Sequence, residues 1–382
     1  MARLLYVSQG YSTHDRRFLE RLAQTSHEVW FLPCTTDPII LESRPTPEGV
    51  HRLPPLVNHR WARAPWSWVS CWMRFRRHLQ ALRPDLVQAG PVQTGGFLAA
   101  FSGCRPLLVM SWGSDMLVTP GRAPWLGWVT RYVLSHAQMA IADCRAVRDR
   151  ILELSRLTED QVVVFPFGVD LSQFRPMPSV LFLRERLGWN GHPVVISTRS
   201  FEVSHGVLVF VEAAIEVLRK DPDVRFLMLG DGYLRPKVEA LIARNRLAEK
   251  IHLAGQISHE RMAEYFNEAD LYVSAAYSDG SSISLLEAMA CGLPVIASDG
   301  YGNRECVTHG INGWLVSSGN VRAIAEAVQE GLSSSARMHA MRERNLARVR
   351  EHADWEKNFS KLLYAYETIL GATPVSGGVV HA

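Results

Sequence analysis

Residues 278–298, SDGSSISLLEAMACGLPVIAS, contain a turn, a short helix and a β-branched strand in immediate succession. The small and apolar residues of Ser284–Ala290 have helical spacing, and Gly292 is typical of a helix end. The apolar run Val295–Ser298 that follows predicts a buried strand. A helix that leads directly into a buried strand is the repeating unit of a parallel sheet, so this stretch indicates an α/β protein.

The residues before that helix have the chemistry of an anion site. Asp279-Gly280 predicts a turn, and Ser281 and Ser282 then place hydroxyls and backbone N–H groups at the helix N-terminus, where the dipole favours phosphate oxygens. Glu287, about one turn into the helix, can accept two hydrogen bonds from a vicinal diol such as a ribose. These residues predict a nucleotide-sugar pocket. The alternative is a serine N-cap followed by a solvated glutamate.

The same alternation of strands and helices extends over the whole chain of 382 residues, which is long enough for two domains. The proline-bracketed stretch Phe174–Pro178 predicts a linker between them. The strands predicted before it are Leu4–Ser8, Glu28–Leu32, Asp85–Ala89, Pro106–Ser111, Met139–Ala142 and Val162–Phe165, and residues 33–60 are predicted to be loop. The strands predicted after it are Val194–Thr198, Arg225–Leu229, Ile251–Ala254, Leu271–Ser274 and Val295–Ser298.

We therefore predict an α/β fold of two Rossmann-like domains, with parallel sheets that face each other across a cleft. The first domain is expected over residues 1–173 and the second over 174–350. Residues 351–370 are expected to form a C-terminal helix that returns to the first domain, and residues 371–382 a flexible tail.

Composition excludes several classes of protein. The chain is 47% hydrophobic and 21% charged, values typical of a globular protein and not of a disordered or collagen-like one. Its net charge of +3 gives no reason to expect a nucleic-acid partner. The charge is unevenly divided, since residues 1–175 hold 20 Arg, no Lys and 14 acidic residues. An anionic surface would therefore meet the N-terminal half.

The six cysteines are scattered without a C-x-x-C pair, which predicts neither a zinc site nor a disulfide framework and favours a reducing cytosol. The opening MARLLYVSQG has too short an apolar run for a signal peptide, and no apolar stretch reaches about 18 residues. We expect a cytoplasmic protein, with a peripheral position at the inner face of the membrane as an open alternative.

Residues 60–78, RWARAPWSWVSCWMRFRRH, combine four tryptophans with six basic residues. A helix from Pro65 would place Trp68 and Trp72 on one face with Phe75. Two interpretations stay open: the face packs into the core of the first domain, or it meets a membrane surface or a hydrophobic acceptor. The stretch Gly121–Tyr132 has a similar combination of tryptophan and arginine.

Residues 278–298 resemble the signature of the family-4 retaining glycosyltransferases of GT-B fold. The family pattern is E-x7-E, followed by a small, apolar helix and a G-x-P-V-[IV]-A strand. Here Asp279 replaces the first glutamate and Glu287 is the second. Residues 310–316, GINGWLV, are similar to the loop that follows that strand in the family. Residues 168–176 resemble the exit from the first domain in the family. The stretch from Asp354 onward resembles the family's final helix.

This resemblance implies roles for residues of the second domain. Glu287 would bind the ribose hydroxyls of a nucleotide-sugar donor. Arg199, in STRSFE, matches the diphosphate-binding arginine of the family, whose planar fork suits the charge that accumulates on a departing diphosphate. The transferred sugar and the diphosphate would be held by Asp279 with the backbone of Gly280, Ser281, Ser282 and Ile283.

In the first domain the resemblance is thinner. Gly10, in SQGYSTHDRR, occupies the position where the glycine loop of the family approaches the phosphates, and His14 lies beside it. The family histidine of this domain is absent, because Gln88 and Gly113 stand at the corresponding positions. Asp115 is then a candidate contact to the donor sugar or the acceptor, with capping of the following turn as the alternative.

The second domain also departs from the family pattern, because the lysine that usually follows the arginine is absent. His205 and Ser204 lie nearby. Either His205 replaces the missing charge, although a histidine is largely neutral near pH 7, or Arg199 works alone.

The resemblance implies a retaining glycosyltransferase that moves a sugar from a nucleotide-sugar donor to a hydroxyl of a glycan, a lipid-linked glycan or a small molecule. It implies no metal and no other cofactor, since the donor is a substrate. The alternatives are a non-catalytic nucleotide-sugar-binding protein of the same fold, or an epimerase or phosphorylase on that fold. A glycosidase that uses Asp279 and Glu287 as a carboxylate pair has less support, because it needs no phosphate cradle.

Overall fold

The computed structural model describes residues 1–36, 45–58, 65–277 and 282–371. The chain divides into two compact units: Met1–Phe165 with the chain from Phe359 onward, and Pro166–Asn358. The first unit therefore ends eight residues before the predicted boundary at residue 173, and it takes up the chain again at Phe359.

A parallel sheet forms the centre of the first unit. Its described strands are β1 (Arg3–Ser8), β2 (Glu28–Pro33), β3 (Val50–Arg52), β4 (Leu86–Ala89), β5 (Leu107–Met110), β6 (Met139–Ala142) and β7 (Val162–Val164). They lie in the order β3-β2-β1-β4-β5-β6-β7, with every pairing parallel. Strands β4, β5 and β6 are buried throughout, as expected for a sheet covered on both faces.

Helices connect these strands. Those described are α1 (Thr13–Leu22), α2 (Pro65–Leu82), α3 (Phe97–Phe101), α4 (Ser114–Leu117), α5 (Thr119–Arg122), α6 (Pro124–His136) and α7 (Arg145–Leu154). Ser12 and Asp15 form a capping box at the start of α1, in which each side chain accepts a hydrogen bond from the backbone N–H of the other.

The second unit contains a second parallel sheet. Its described strands are β8 (Val194–Ser197), β9 (Arg225–Leu229), β10 (Ile251–Gly255), β11 (Leu271–Ser274), β12 (Val295–Ser298) and β13 (Gly313–Val316), in the order β10-β9-β8-β11-β12-β13. The described helices are α8 (Leu183–Arg186), α9 (Val207–Lys220), α10 (Arg235–Arg244), α11 (Met262–Phe266), α12 (Ile283–Ala290), α13 (Tyr301–Cys306), α14 (Val321–Leu332) and α15 (Ser335–His352). Two hydrophobic clusters bury this unit's sheet residues, for instance Val195 in one and Ile196 in the other.

The last described helix, α16 (Trp355–Leu370), begins in the second unit and ends in the first. Its Phe359 is fully buried, with its ring centroid 6.4 Å from that of Phe18 and 6.5 Å from that of Phe165. Burial of an aromatic side chain of this kind contributes about 1.5–3 kcal/mol. The end of the chain thus completes the aromatic core of the unit that its beginning forms.

The α/β class with two Rossmann-like parallel sheets is confirmed, and each predicted strand is present with ends that differ by one residue at most. Two predictions about loops are wrong. Residues 33–60 contain β3, an edge strand too short to show an alternating pattern. Gly313–Val316 forms edge strand β13, where a Cβ on Gly313 would lie 2.4 Å from the carbonyl oxygen of Val295. The predicted tail lies outside the described residues except for Gly371.

Candidate functional site

Polar side chains of the second unit meet at the carboxyl ends of β8, β11 and β12, which are neighbours in its sheet. This edge is where open α/β sheets bind their ligands. Arg199 follows β8, and its Nη1 atom lies 3.1 Å from Ser284 Oγ and 3.5 Å from Ser282 Oγ. The guanidinium therefore lies at the N-terminal turn of α12, where its charge adds to the positive end of the helix dipole.

Ser284 is also bonded to the sheet, which fixes the start of α12. Its hydroxyl lies 2.9 Å from the hydroxyl of Tyr272, a fully buried residue of β11. Neither residue was predicted as part of the site, because a serine one position into a helix and a tyrosine inside a strand have no distinctive pattern in the sequence.

Glu287 lies farther along α12 with its side chain only 4% exposed. Its Oε1 atom is 2.7 Å from His259 Nε2, in the 3₁₀ turn that precedes α11. His259 is itself held in place, since Gln173 donates a hydrogen bond to its backbone carbonyl at 2.8 Å and the Phe174 ring packs 5.2 Å away. The alternative of a solvated glutamate is therefore wrong, because a buried carboxylate that is hydrogen-bonded to an imidazole is built into the fold.

The loop that carries Arg199 is supported by close backbone packing. Gly230 has a φ of +127°, and a Cβ there would lie 2.5 Å from the Arg199 carbonyl oxygen. A Cβ on Gly232 would lie 2.6 Å from the carbonyl oxygen of Phe201, whose N–H donates to Asp231 at 3.0 Å. The Gly-Asp-Gly turn after β9 thus fixes the Arg199 backbone, and this close approach explains the two glycines.

His205 contacts the same loop from the other side. Its Nδ1 atom lies 2.9 Å from Ser200 Oγ and 3.2 Å from the Ser200 carbonyl oxygen. The next residue, Gly206, has a φ of +64°, and a Cβ there would lie 2.0 Å from the Ala275 carbonyl oxygen. The structure therefore places His205 beside Arg199 with one ring nitrogen directed at Ser200.

Several buried hydroxyls at this edge have no hydrogen-bond partner among the described residues. They belong to Thr198 after β8, Ser274 at the end of β11 and Ser298 at the end of β12. A buried polar group without a partner costs about 1–3 kcal/mol, so three of them on adjacent strands require an explanation. Groups of this kind fit an edge that presents polar atoms to a bound ligand.

Asp279, Gly280 and Ser281 lie outside the described residues. Ser282 is the N-cap residue of α12 and is buried, but its side chain makes no capping hydrogen bond. Ile283, the first residue of α12, is buried as well. The described part of the predicted cradle therefore consists of Arg199, Ser282 and Ile283, with Glu287 farther along the helix.

Gly10 and His14 lie at the carboxyl edge of the first sheet. Gly10 is in the loop from β1 to α1 and is half-buried. His14 is in the first turn of α1, with its ring centroid 6.0 Å from that of Trp112. Asp15, the residue after His14, is buried and accepts a hydrogen bond from the Tyr6 hydroxyl at 3.0 Å, so this loop is anchored to the sheet.

Asp115 lies in α4 with its carboxylate buried among donors of the same unit. Its Oδ1 atom accepts hydrogen bonds from the Ser111 hydroxyl at 2.7 Å and the Trp112 N–H at 2.9 Å, and its Oδ2 atom accepts one from the Val92 N–H at 2.9 Å. Burial raises the pKa of this carboxyl, although the three hydrogen bonds oppose the shift. The arrangement is that of a group that joins two loops.

Gln88, at one of the positions where the family has its histidine, is buried in β4. Its Oε1 atom accepts a hydrogen bond from the hydroxyl of Tyr366 in α16, and its Nε2 atom donates to Met110 Sδ at 2.8 Å. The side chain therefore ties the C-terminal helix to the first sheet.

Two family profiles match this chain. The profile of Glycosyltransferase Family 4 matches residues 9–173, and that of Glycosyl transferases group 1 matches residues 181–348. Together with two Rossmann-like parallel sheets, these matches define the class as the two-domain glycosyltransferases of GT-B fold. The chain belongs to glycosyltransferase family 4, as the resemblance predicts.

Curated relatives and solved structures agree with this assignment. The chain is 26% identical over 209 residues to alpha-D-kanosaminyltransferase of Streptomyces kanamyceticus, a match that covers 54% of each protein. It is 28% identical over 250 residues to D-inositol 3-phosphate glycosyltransferase of Nocardia farcinica, covering 63% of this chain and 54% of that protein. The chain thus spans about half the length of these relatives.

Among solved structures, the sucrose-phosphate synthase from Thermosynechococcus elongatus has a TM-score of 0.79 and 20% identity, with 98% of this chain and 100% of that chain covered. Anabaena HepE in complex with UDP-glucose has a TM-score of 0.79 and 17% identity, covering 96% of this chain and 100% of that chain. At these identities the likeness shows the fold.

Proposed function

We propose that this protein is a retaining glycosyltransferase that moves a sugar from a nucleotide-sugar donor to a hydroxyl of a glycan, a lipid-linked glycan or a small molecule. The observation that carries the proposal is the arrangement on α12. Arg199 lies at the N-terminal turn of this helix, and the buried carboxylate of Glu287 lies farther along it. A cation and a helix N-terminus suit a diphosphate, and a buried carboxylate suits the paired hydroxyls of a ribose.

In the proposed reaction the acceptor hydroxyl attacks the anomeric carbon from the face that the diphosphate leaves. The bond between that carbon and the diphosphate oxygen breaks, and its electron pair stays on the diphosphate. The acceptor proton passes to a diphosphate oxygen. Arg199 stabilises the negative charge that develops on the leaving group, which is how a preorganised cation accelerates such a step. Asp279 would hold the transferred sugar.

The proposed reaction uses no metal and no other cofactor, because Arg199 and the start of α12 supply the positive charge that a diphosphate needs. In the described part of the chain, no group of three or more His, Cys, Asp or Glu side chains could hold a metal ion. Turnover that survives EDTA would support this part of the proposal, and turnover that needs an added divalent cation would contradict it.

Asp115 has a narrower proposed role than contact with the sugar or the acceptor. Three hydrogen bonds from Ser111, Trp112 and Val92 occupy its carboxylate oxygens. We propose that it positions the loops after β4 and β5, which follow carboxyl ends of the first sheet. We propose, as the resemblance implies, that Gly10 and His14 lie beside the nucleotide-sugar donor.

The relatives support a sugar transfer, and they indicate which donors to test. One is named a GDP-mannose-dependent mannosyltransferase, and HepE is described in complex with UDP-glucose. No helix among the described residues is long and apolar enough to cross a membrane. We propose a cytoplasmic location, because no disulfide joins any of the six cysteines, all of which lie within the described residues, and the cytosol maintains that state.

A second candidate is a nucleotide-sugar-binding protein of the same fold without turnover. The observation that favours it is the position of His205, which stands where the family lysine would supply a permanent charge and instead directs Nδ1 at Ser200. Binding of a donor without transfer to any acceptor, and without slow donor hydrolysis, would favour this candidate.

The first experiment is a thermal-shift screen against UDP, GDP, ADP and TDP and their common sugar conjugates, with Glu287→Ala in parallel. A ligand at 100 times its dissociation constant stabilises a protein by about 2.7 kcal/mol, which gives a clear increase in Tm. We expect one base to stabilise the wild type and not Glu287→Ala. The absence of any shift with all of these ligands would contradict the proposed donor site.

A further inference from the structure

The first unit has a continuous row of aromatic rings across three helices. Trp68 and Trp72 of α2 are stacked with centroids 6.5 Å apart, and Trp68 meets Phe101 of α3 at 4.9 Å. The row, named here the aromatic face, continues through α3 to α6 by way of contacts at 5.8, 5.9 and 5.5 Å. Its members are Trp68, Trp72, Phe97, Phe101, Trp128 and Tyr132.

Much of this face is open to solvent. Trp68 is 38% exposed, Phe101 43% and Trp128 62%, and Trp125 beside it on α6 is 64% exposed. Phe75, which shares a helix with Trp68, is fully buried. Trp68, Trp72 and Phe75 share one face of α2, which is partly exposed near the start of the helix and fully buried at Phe75, so each of the two sequence-based interpretations describes a part of it. Contiguous exposed aromatics are unusual on a protein surface and mark sites of interaction.

The segment that carries the aromatic face is rich in arginine and poor in acidic residues. Between Pro65 and Ala142 the sequence holds seven arginines and only two acidic residues, Asp85 and Asp115. Asp115 is buried and accepts hydrogen bonds within its own unit, so it presents no charge to a partner. Arg76 lies over the Trp72 ring at 5.4 Å and, like Arg131, is exposed. The face therefore complements an anionic, partly apolar surface.

We infer that the aromatic face docks on the surface of a lipid bilayer that contains anionic headgroups. Trp and Tyr rings are amphipathic and favour the headgroup level, while arginine side chains reach the phosphates. A soluble protein partner would need an apolar patch with acidic residues in matching positions. A bilayer with anionic lipids offers apolar character and negative charge at every point of its surface. The inference stands on the surface of the first unit and does not depend on the proposed donor site.

The aromatic face lies near the carboxyl edge of the first unit's sheet, so a bound bilayer would also lie near that edge. Because α2 and α6 each lead into the amino end of a following strand, both begin at the carboxyl edge of the sheet. Trp68 is in the first turn of α2, and Trp125 and Trp128 are at the start of α6. The exposed tryptophans therefore lie near the edge where Gly10 and His14 lie.

The experiment is co-sedimentation of the full chain with two kinds of vesicle, one of phosphatidylcholine alone and one with about 30% phosphatidylglycerol. We expect strong binding to the anionic vesicles, weak binding to the neutral ones, and a loss of binding at about 1 M salt, where charges are screened within about 3 Å. The double variant Trp125→Ser with Trp128→Ser should lower partitioning at least tenfold. Arg76→Ser with Arg131→Ser should reduce binding to anionic vesicles and leave binding to neutral vesicles unaffected.

The matched control is Phe182→Ser, because Phe182 is 61% exposed but lies in the second unit. It should bind vesicles like the wild type. Equal partitioning of the tryptophan variant and the wild type would overturn the inference, as would an absence of vesicle binding by the wild type. A wild-type dimer that the tryptophan variant converts to monomer, without vesicle binding, would assign the face to a second copy of this chain and overturn it. Unchanged Tm and an unchanged donor-induced shift would show that the variants keep their fold and donor site.

Discussion

The buried polar residues at the carboxyl edges of the two sheets differ in their hydrogen-bond partners. In the second unit, Arg199, Ser284 and Tyr272 form one connected group, and buried hydroxyls on neighbouring strands have no partner among the described residues. In the first unit, Asp15 caps a helix, Asp115 joins two loops and Gln88 bonds to α16. The edge of the second unit's sheet therefore has buried polar atoms that a ligand could bind. At the edge of the first unit's sheet, the named polar side chains are hydrogen-bonded within their own unit.

This difference fits the thinner motif resemblance of the first domain. Under the proposed function, a shared donor would require the same cation, helix N-terminus and carboxylate each time, so the residues of α12 would keep a recognisable spacing. The polar residues of the first unit satisfy their own backbone, and that need can be met by different residues in different proteins. Substitutions can break or sharpen this contrast.

The largest effect is expected from Glu287→Ala, which should remove measurable nucleotide binding. Hydrogen bonds to a charged group contribute about 1.5–3 kcal/mol each, and the variant would lose both bonds that the Glu287 carboxylate is proposed to accept from a ribose. Isothermal titration calorimetry with the nucleoside diphosphate that the thermal-shift screen identifies measures this loss of affinity. The matched control is Glu268→Ala, since Glu268 is as buried but bonds to Ser179. Wild-type affinity in Glu287→Ala would remove the ribose role.

Arg199→Ala should lower kcat/KM by an amount that corresponds to about 2–4 kcal/mol of lost transition-state stabilisation. The variant lacks the cation that would stabilise the charge on the departing diphosphate. Steady-state kinetics with the identified donor measure the change. Arg225→Ala is the control, because Arg225 is a half-buried arginine at the opposite edge of the same sheet. If both variants lose activity equally, the loss reflects stability and not the site.

Asp115→Ala should destabilise the first unit by about 1–3 kcal/mol, because three donors of two loops lose their acceptor. Nucleotide affinity should stay within about twofold of the wild type, since Asp115 belongs to the first unit and Arg199 and Glu287 belong to the second. Urea denaturation and titration with the nucleotide give the two values, with exposed Asp160→Ala as control. Full stability together with lost turnover would restore direct contact with a substrate as the role of Asp115.

The smallest effect is expected from Tyr366→Phe, which removes the hydroxyl bonded to Gln88 and keeps the ring. One buried hydrogen bond contributes about 0.5–1.5 kcal/mol to the free energy of unfolding. Urea denaturation should detect this loss, and Tyr364→Phe on the exposed side of the same helix should leave stability unchanged. An unchanged stability of Tyr366→Phe would show that packing alone holds α16.

The sequence predicted most of the strands because they are short, mainly apolar runs, several of them bounded by Gly, Pro or Asp. The position of Glu287 about one turn into α12 is a local property of the sequence, whereas Arg199 was linked to this helix only through the family resemblance, since it lies 83 positions before Ser282. The sequence did not predict His259, which reaches Glu287 from another element 28 positions away, since only the fold brings the two together. Edge strands β3 and β13 were missed for a related reason, because pairing with a neighbour defines a strand too short to have a pattern of its own.

Helix α16 has a consequence for the order in which the chain is made. Phe18 and Phe165 contact each other, and the Phe359 ring that packs against both follows more than 190 residues later in the sequence. At about 5–20 residues per second, a nascent chain would leave that aromatic surface uncovered for roughly 10–40 seconds. Throughout this interval the second unit is being synthesised and can fold, while the first unit lacks the segment that closes it. Of the two units, the one that contains Met1–Phe165 is thus the later to be completed, and its aromatic surface stays exposed until α16 is made.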